Sequence, residues 1–231
     1  GSYRLAVQCL KVAAYYSDKG SRFNQLSRYW IAESYYRNDQ YQQARELYAE
    51  LYNQSALYRQ PESYLIPYNI AYCFYKEGDY DAAEKWYKAY LDGSVVDYRK
   101  DALERVGDCH FVRKDYKSAA ETYDLVVRDF YNVNDIYPYY QAALSYGLSR
   151  NSERKIKLLT NALSADPSAR FYPEALYELG RAYVLREADA KAEEVFHKLA
   201  STSKDTTYVA KAYIELGSLS RNQSQFNEAL G

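Results

Sequence analysis

The sequence predicts an all-α fold of stacked antiparallel helix pairs, and three observations lead to that prediction. A pattern of apolar and small residues recurs six times along the 231 residues. Within each copy, apolar residues spaced three and four apart mark one face of a helix. Polar stretches between two such helices mark a turn. A helix pair with one apolar face has to bury that face against its neighbours, so the copies predict an α-solenoid of about six repeats.

The repeat is clearest around Gly180, which is followed by Ala192 and Phe196 on the predicted second helix. The equivalent small residues of the six first helices define one register: Ala32, Ala71, Gly107, Ala143, Gly180 and Gly217. The steps between them are 39, 36, 36, 37 and 37 residues. A glycine inside a helix costs ~1 kcal/mol relative to alanine. Its repeated use therefore predicts close approach of the second helix, whose own small residue faces it. The fourth copy is weaker, with Lys155 and Leu159 where the small residue and the aromatic belong.

The elements follow in chain order from this register. Residues 3–20 form a partial repeat, whose helical stretch is the second helix of a preceding pair. Full repeats are predicted near 25–60, 64–98, 100–134, 136–170 and 173–207, and a last partial repeat at 208–231 stops early in its second helix. Polar turns are predicted at 37–40, 76–79 and 113–115. Prolines mark the connections or the first turns of helices: Pro61, Pro67, Pro138, Pro167 and Pro173.

Both ends lack complete repeats, and residues 1–2 are typical of a cloning scar. Solenoids normally carry polar terminal caps. We therefore expect residues 3–231 to be one solenoid domain and a fragment of a longer array, which is monomeric or associates weakly end to end.

Composition narrows the possible functions. The chain has 30 Lys+Arg and 31 Asp+Glu, a net charge of −1 that argues against nucleic-acid binding through phosphate neutralisation. The longest apolar stretch, residues 70–75, is far shorter than the ~20 residues that span a bilayer. Tyrosine is unusually frequent, with 30 residues.

The reactive residues do not form a recognisable site. Cys73 and Cys109 occupy equivalent positions one repeat apart, which is generally too far for a disulfide, so they are predicted to be buried free thiols. His110 replaces a core aromatic, and His197 is predicted to face solvent. Metal-ligand spacing, a phosphate-binding loop and a nucleophile with a nearby base are all missing from the sequence. We therefore expect no enzyme and no catalytic, cofactor or metal site.

The pattern resembles the tetratricopeptide repeat over nearly the whole chain, from about Tyr3 to Leu230. The resemblance implies a right-handed superhelix whose concave face is lined by the first helix of each pair. The signature tryptophan of the first helix is replaced here by Arg28, Pro67, Leu103, Tyr139, Leu176 and Tyr213. The period also exceeds the usual ~34 residues. This longer period, with the pairs Tyr137-Pro138 and Tyr172-Pro173, is similar to a subclass found in bacterial envelope proteins. That subclass includes outer-membrane assembly lipoproteins and the periplasmic coordinator of the Tol–Pal system.

The resemblance also implies a peptide-binding groove. Its side chains would lie three and six residues before each aligned small residue, and one and four after it. The predicted groove residues are Tyr29, Glu33, Tyr36, Tyr68, Tyr72, Tyr75, Asp101, Glu104, Asp108, Phe111, Tyr137, Tyr140, Tyr177 and Arg181. Tyrosine suits such a surface, since it offers a large, stiff contact area with a polar tip. The alternative is that these tyrosines seal the interfaces between repeats, and that the acidic belt is solvated or paired with Arg105.

These observations predict a non-catalytic scaffold that binds a protein or peptide, in a bacterial cell-envelope complex. The periplasmic or envelope location follows from the resemblance alone. The alternative is a helical accessory region of a larger envelope enzyme or sensor. Chaperone-binding members of the family hold a C-terminal carboxylate with Lys, Arg or Asn, where this chain has residues such as Tyr29, Glu33 and Tyr72. A basic or aromatic segment is therefore the expected ligand. A helical-repeat RNA reader is disfavoured because the acidic belt occupies the groove.

Overall fold

The structure, a computed structural model, describes residues 2–52, 61–93 and 96–230. Within these ranges the chain forms twelve helices and no strand, which confirms the predicted all-α repeat fold. The helices are α1 (Ser2–Tyr16), α2 (Arg22–Tyr36), α3 (Tyr41–Tyr52), α4 (Pro61–Glu77), α5 (Tyr80–Leu91), α6 (Arg99–Val112), α7 (Tyr116–Asp129), α8 (Tyr137–Leu148), α9 (Ser152–Ala162), α10 (Tyr172–Val184), α11 (Asp189–Thr202) and α12 (Thr206–Leu230).

The helices fall into two compact units. Unit 1 covers residues 1–114 and unit 2 covers residues 115–231. Within each unit, every helix packs against the next along the chain, from α1 to α6 and from α7 to α12. This is the arrangement expected of helix pairs that bury their apolar faces on their neighbours. The description of residues 3–231 as a single domain stays a prediction.

A left-handed residue forms the turn inside each full helix pair. It always lies seven residues after the aligned small residue: Asp39, Gly78, Lys114, Arg150 and Glu187 have φ values of 57°, 82°, 64°, 65° and 55°. The next residue immediately precedes the second helix. Asp79, Asp115 and Asn151 each accept a hydrogen bond there from the backbone N–H three residues on, at 3.1, 3.2 and 3.0 Å. The predicted turns are therefore confirmed, although α4 extends through Glu77 and shortens the second one.

The aromatic residues of the second helices form the centre of each pair. The residues sixteen after the aligned small residue are fully buried: Tyr48, Tyr87, Tyr123, Leu159 and Phe196. A Cβ atom added at Gly180 would lie 2.5 Å from Cε1 of Phe196. The Phe196 ring therefore packs directly against this glycine. That the small residue of the second helix also faces it stays a prediction.

The weak fourth copy keeps the fold with a different contact. Lys155, which replaces the small residue of the second helix, passes over Gly147, where an added Cβ would lie 2.9 Å from Lys155 Cδ. Its Nζ reaches Oε2 of Glu178 on α10 at 2.6 Å. The missing side chain of Gly147 therefore gives the lysine room to pair with the next repeat.

Two expectations about helix boundaries are wrong. α12 runs unbroken through residues 224–225, where the register places a turn. An added Cβ at Gly217 meets nothing within 4 Å. Pro67 lies in the interior of α4, because that helix begins at Pro61 rather than near residue 64.

The cysteines and histidines lie where the sequence predicted. Cys73 and Cys109 are buried free thiols, and burial raises the pKa of each to about 12. His110 is buried, with Nε2 3.5 Å from Oε1 of Glu84, and His197 is exposed. The two buried thiols stay protonated near neutral pH and therefore pack as small apolar groups.

Across the described ranges, no helix has the length and apolarity needed to cross a bilayer.

Candidate functional site

A cavity of about 430 Å³ lies on the first helices of unit 1. Five of the predicted groove residues line it: Tyr29, Glu33, Tyr36, Tyr68 and Tyr72. Leu65, six residues before Ala71, also lies at a groove position of the register and lines the cavity. Five further residues complete the lining: Trp30, Arg37, Asn69, Lys76 and Tyr98. We call this the unit 1 cavity. Its volume is in the range of small-ligand pockets, ~300–1,000 Å³.

The repeat register explains why these side chains meet. On α2 and α4, residues three before, one after and four after the aligned small residue lie on one helical face. Tyr29 and Tyr68 share the first of these positions, and Glu33 and Tyr72 share the second. Because α2 and α4 contact each other, the faces of two successive repeats border the same cavity.

Glu33 on α2 has partners from α3, from α4 and from the residue that follows α2. The Tyr48 hydroxyl donates to its Oε1 at 2.5 Å, and Asn69 Nδ2 donates to the same oxygen at 3.1 Å. Arg37 Nε lies 3.7 Å from the other oxygen. Asn69 Nδ2 also lies 3.0 Å from the Tyr29 hydroxyl oxygen, to which it donates. The carboxylate therefore joins α2, α3 and α4 and is held by the chain itself.

Tyr29 is more deeply buried than its groove position predicted. Its side chain is only 4% exposed and packs in the core, with the Tyr48 ring centroid 5.7 Å away. The expected exposure is wrong for this residue because α4 covers it, with Ile66 and Ile70 in the same core cluster. Burial raises the pKa of the Tyr29 hydroxyl, so the ring stays neutral.

Asp101 connects α6 to two groove tyrosines of α4. The Tyr68 hydroxyl donates to Oδ2 at 2.8 Å and the Tyr72 hydroxyl to Oδ1 at 3.3 Å. Arg105 Nε lies 3.6 Å from Oδ1. Burial, followed by the Asp101 charge, raises the pKa of both tyrosines. The two tyrosines are therefore uncharged at neutral pH. The positive charge opposite Asp101 comes from Arg105.

Asp108, two helical turns after Asp101, has a similar set of partners. The Tyr75 hydroxyl donates to Oδ2 at 3.0 Å, and Arg105 Nη1 also donates to that oxygen. The Arg105 guanidinium lies 5.7 Å from the Tyr75 ring centroid. Burial raises the pKa of Tyr75 to about 12. The expected pairing of the acidic belt with Arg105 is confirmed, whereas the tyrosine hydroxyls were not anticipated as partners.

The remaining residues predicted on α6 do not line the unit 1 cavity. Glu104 and Asp108 are buried, and Phe111 is partly buried. Glu104 has ion-pair distances of 3.5 Å to Lys100 Nζ and 3.7 Å to Arg105 Nη2. These acids are therefore enclosed by the chain and do not form an open acidic surface.

Tyr98 covers the edge of the unit 1 cavity. It precedes α6 in a left-handed conformation, with φ 56°, and its ring stacks on Tyr68 with centroids 5.3 Å apart and planes at 28°. Tyr98 lies nine residues before Gly107, a position that the predicted groove pattern did not include. Trp30, Arg37, Asn69 and Lys76 were missed for the same reason, since the pattern used only four positions per first helix.

Unit 2 contains the other predicted groove residues in a related arrangement. Phe171, with φ 69°, stacks on Tyr140 at 5.8 Å and 17°, and lies 5.4 Å from Tyr137. Tyr177 contacts Tyr208 at 6.0 Å and donates to Oε1 of Glu215 at 3.1 Å. The exposed Arg181 guanidinium lies 6.0 Å from the Tyr177 ring centroid.

Unit 2 thus repeats the stacked aromatic pair of unit 1. In the described part of the chain, no group of three or more His, Cys, Asp or Glu side chains is arranged to hold a metal ion.

Comparison with known proteins agrees with this geometry. Residues 31–94 match the tetratricopeptide repeat family model. That range runs from the second half of α2 through α5 and includes most of the unit 1 cavity. No curated protein sequence matches the chain.

Several solved structures share the fold. MamA of Desulfovibrio magneticus RS-1, from residue 41 to its end, is 21% identical, and the alignment covers 78% of this chain and 97% of that chain with a TM-score of 0.63. YrrB, described as a TPR protein with an unusual peptide-binding site, is 16% identical over 81% of this chain and 90% of that chain, with a TM-score of 0.64. The TPR-like repeats of a Podosopora anserina kinesin light chain are 16% identical over 83% of this chain and 99% of that chain, with a TM-score of 0.60. At such identities the likeness shows the fold alone.

Proposed function

We propose that this chain is a non-catalytic scaffold that binds a segment of a partner protein in the unit 1 cavity. The observation that carries the proposal is the convergence of Tyr29, Glu33, Tyr36, Tyr68 and Tyr72 on one cavity of about 430 Å³. The repeat register alone predicts each of these five residues on the groove. The described peptide-binding site of YrrB supports the same use of the fold.

The cavity has the chemistry of a binding surface rather than of a reaction site. Its rings are neutral, because burial raises the pKa of Tyr36 to about 12 and raises those of Tyr68 and Tyr72 as well. Glu33 already accepts hydrogen bonds from Tyr48 and Asn69. A carboxylate held in this way ties α2 to α3 and α4.

Trp30 offers the best test, because its side chain is 48% exposed and its loss leaves the core intact. A displayed library of random nonapeptides is captured on the immobilised chain, and the strongest peptide is then titrated in solution. Tryptophan is a common hot-spot residue, so Trp30→Ala should weaken binding by about 10-fold or more. Tyr213→Ala, which removes a 61% exposed ring of unit 2, is the matched control and should leave the affinity unchanged. Equal binding by the two variants would exclude the unit 1 cavity.

The same role is proposed for Tyr137, Tyr140, Tyr177 and Arg181 within unit 2. The cell-envelope setting, and the periplasm as compartment, are proposed from the Tyr-Pro pairs and the lengthened period alone. The alternative, an accessory region of a larger envelope enzyme or sensor, shares the binding surface. The open reading frame of the parent gene distinguishes the two, because only the alternative requires a catalytic or sensor domain beside these helices.

A further inference from the structure

We propose that the unit 1 cavity takes an acidic side chain and a nearby aromatic side chain of the bound peptide. This inference rests on the proposed function and specifies the chemistry of the segment that binds. It commits to a side-chain carboxylate within two positions of a Phe, Tyr or Trp, inside a chain rather than at its C-terminus.

Two cations border one end of the cavity. Arg37 and Lys76 both lie five residues after the aligned small residue, so successive repeats place them side by side at the ends of α2 and α4. The Arg37 side chain is 60% exposed, and within the described residues its ion-pair contact is the 3.7 Å approach to Glu33. Lys76 is exposed and, among the residues that the structure describes, forms no ion pair. Both cations are therefore available to a ligand.

The charges of the lining leave room for one negative group. Arg37 and Lys76 contribute two positive charges and Glu33 one negative charge, so the charged side chains of the lining sum to +1. Glu33 is already engaged by Tyr48 and Asn69. A carboxylate of the ligand would balance the excess charge, whereas a Lys or Arg would increase it.

This changes the basic part of the basic or aromatic ligand expected from the sequence. That expectation rested on the missing carboxylate clamp, since residues such as Glu33, Glu104 and Asp108 occupy the equivalent positions. Asp101 accepts hydrogen bonds from Tyr68 and Tyr72, and Glu104 and Asp108 are buried. Arg105 lies within pairing distance of all three acids. The acidic residues thus serve the fold, and the accessible charge is positive.

A pair of aromatic rings lies next to the two cations. The half-buried rings of Tyr36 and Tyr72 approach each other at 6.3 Å and 81°, and both border the cavity. Tyr36 adjoins Arg37 in sequence, and Tyr72 is one turn before Lys76, a rise of ~6 Å. An extended peptide spans that distance with adjacent or next-but-one residues. A third ring can add edge or offset contacts to this pair, which an aliphatic side chain cannot.

The test uses the full chain and the same nonapeptide library, with every peptide N-acetylated and C-amidated so that only side chains carry charge. The wild type, Arg37→Gln/Lys76→Gln and Arg22→Gln/Lys85→Gln are compared. The third variant removes two exposed cations of unit 1 that lie outside the cavity, so its net charge matches that of the second. We expect captured peptides to be enriched in Asp or Glu within two positions of an aromatic residue. Their affinity should fall about 10-fold in the cavity variant and little in the control.

Each other outcome overturns a defined part of the proposal. Captured peptides without the acidic enrichment, or with equal affinity for both double variants, would overturn this inference while peptide binding itself stands. Enrichment of Lys or Arg would restore the basic ligand expected from the sequence. If the wild type captures no peptide above a bare surface, the proposed function fails along with this inference. Far-ultraviolet circular dichroism and thermal melting establish that both double variants are folded.

Discussion

Tyr98 stacks on Tyr68 with ring centroids 5.3 Å apart and planes at 28°, across the junction between two repeats. Phe171 stacks on Tyr140 in the corresponding place in unit 2, at 5.8 Å and 17°. Both covering residues lie nine positions before an aligned glycine and adopt positive φ angles, 56° and 69°. A non-glycine residue pays of order 1 kcal/mol or more for that conformation. The recurrence indicates that the stacked rings offset the backbone strain.

The first prediction concerns this stacked pair. Tyr98→Ala keeps the strained backbone and loses the ring contact, so it should destabilise unit 1 by about 1 kcal/mol. Tyr98→Phe keeps the ring and should be nearly neutral, and Tyr98→Gly should fall between them because it relieves the strain. Urea unfolding followed by tryptophan fluorescence measures this directly, since Trp30 and Trp86 both belong to unit 1. Equal stability of Tyr98→Ala and the wild type would show that the stack contributes nothing.

The second prediction uses the contact between Gly180 and Phe196. Gly180→Ala should destabilise unit 2 by about 1–2 kcal/mol, because the added Cβ would lie 2.5 Å from the ring and the cost of overpacking exceeds the gain in helix propensity. Gly217→Ala is the matched control. It occupies the same register position but faces open space, so it should be neutral or stabilising by up to ~1 kcal/mol.

Circular dichroism during thermal unfolding would compare these variants. Gly180→Ala combined with Phe196→Leu should recover part of the loss, since the smaller side chain makes room for the methyl group. A Gly180→Ala protein as stable as Gly217→Ala would contradict the proposed packing.

The third prediction concerns the hydrogen bond between Tyr68 and Asp101. Tyr68→Phe and Asp101→Asn should each destabilise unit 1, and the double variant should lose less than the sum. We expect a coupling energy of about 1 kcal/mol, in the range found for hydrogen bonds to charged groups after allowance for partial exposure. A double-mutant cycle from urea unfolding gives this value. Strict additivity would mean that the two groups do not interact in solution.

The fourth prediction is an alkaline loss of stability. The pKa of Tyr75 is raised to about 12, from an ordinary value of 10.0, mainly by burial and then by the Asp108 charge. The folded state therefore holds this proton more tightly than the unfolded chain. Its contribution is complete below pH ~10 and is lost as the pH rises towards the folded value.

Urea midpoints measured between pH 9 and 12 should fall for the wild type, and less steeply for Tyr75→Phe, which has no proton to lose. Tyr15→Phe should follow the wild-type profile, because Tyr15 is 81% exposed. Identical profiles for all three proteins would argue against a protonated Tyr75 in the folded state at high pH.

The fifth prediction concerns thiol reactivity. Cys9 is exposed, whereas Cys73 and Cys109 are buried with pKa values raised to about 12. One thiol of the native chain should react rapidly with a chromogenic disulfide reagent at pH 8, and all three should react in denaturant. A Cys9→Ser variant should lose the rapid phase. Rapid reaction of two or three native thiols would contradict the burial.

The sequence register anticipated what depends on helix periodicity. It located the buried second-helix residues Tyr48 and Tyr87, the turns between the two helices of a pair, and five residues of the unit 1 cavity. These features follow from which face of a helix a residue occupies, and that can be read from spacing alone. The left-handed turn residues could be located only indirectly, because Asp39 and Lys114 carry no glycine signal.

Other features depend on contacts between separate repeats and could not be read from spacing. Asp101 faces two tyrosines that precede it by about thirty residues, so its partners required the packing of α4 on α6. Tyr29 and Tyr68 share a register position, yet Tyr29 is buried because α4 covers it.

The hydroxyl–carboxylate pairs between α4 and α6 show what tyrosine supplies at these three positions and phenylalanine cannot. Two helices that meet through apolar faces alone can shift along each other, because one ring can take the place of another in the interface. A slip of one helical turn would displace the phenols by ~5.4 Å and leave Asp101 and Asp108 without them. The hydroxyl groups therefore favour one register of α4 against α6. They distinguish the correct pairing of α4 with α6 from one shifted by a helical turn.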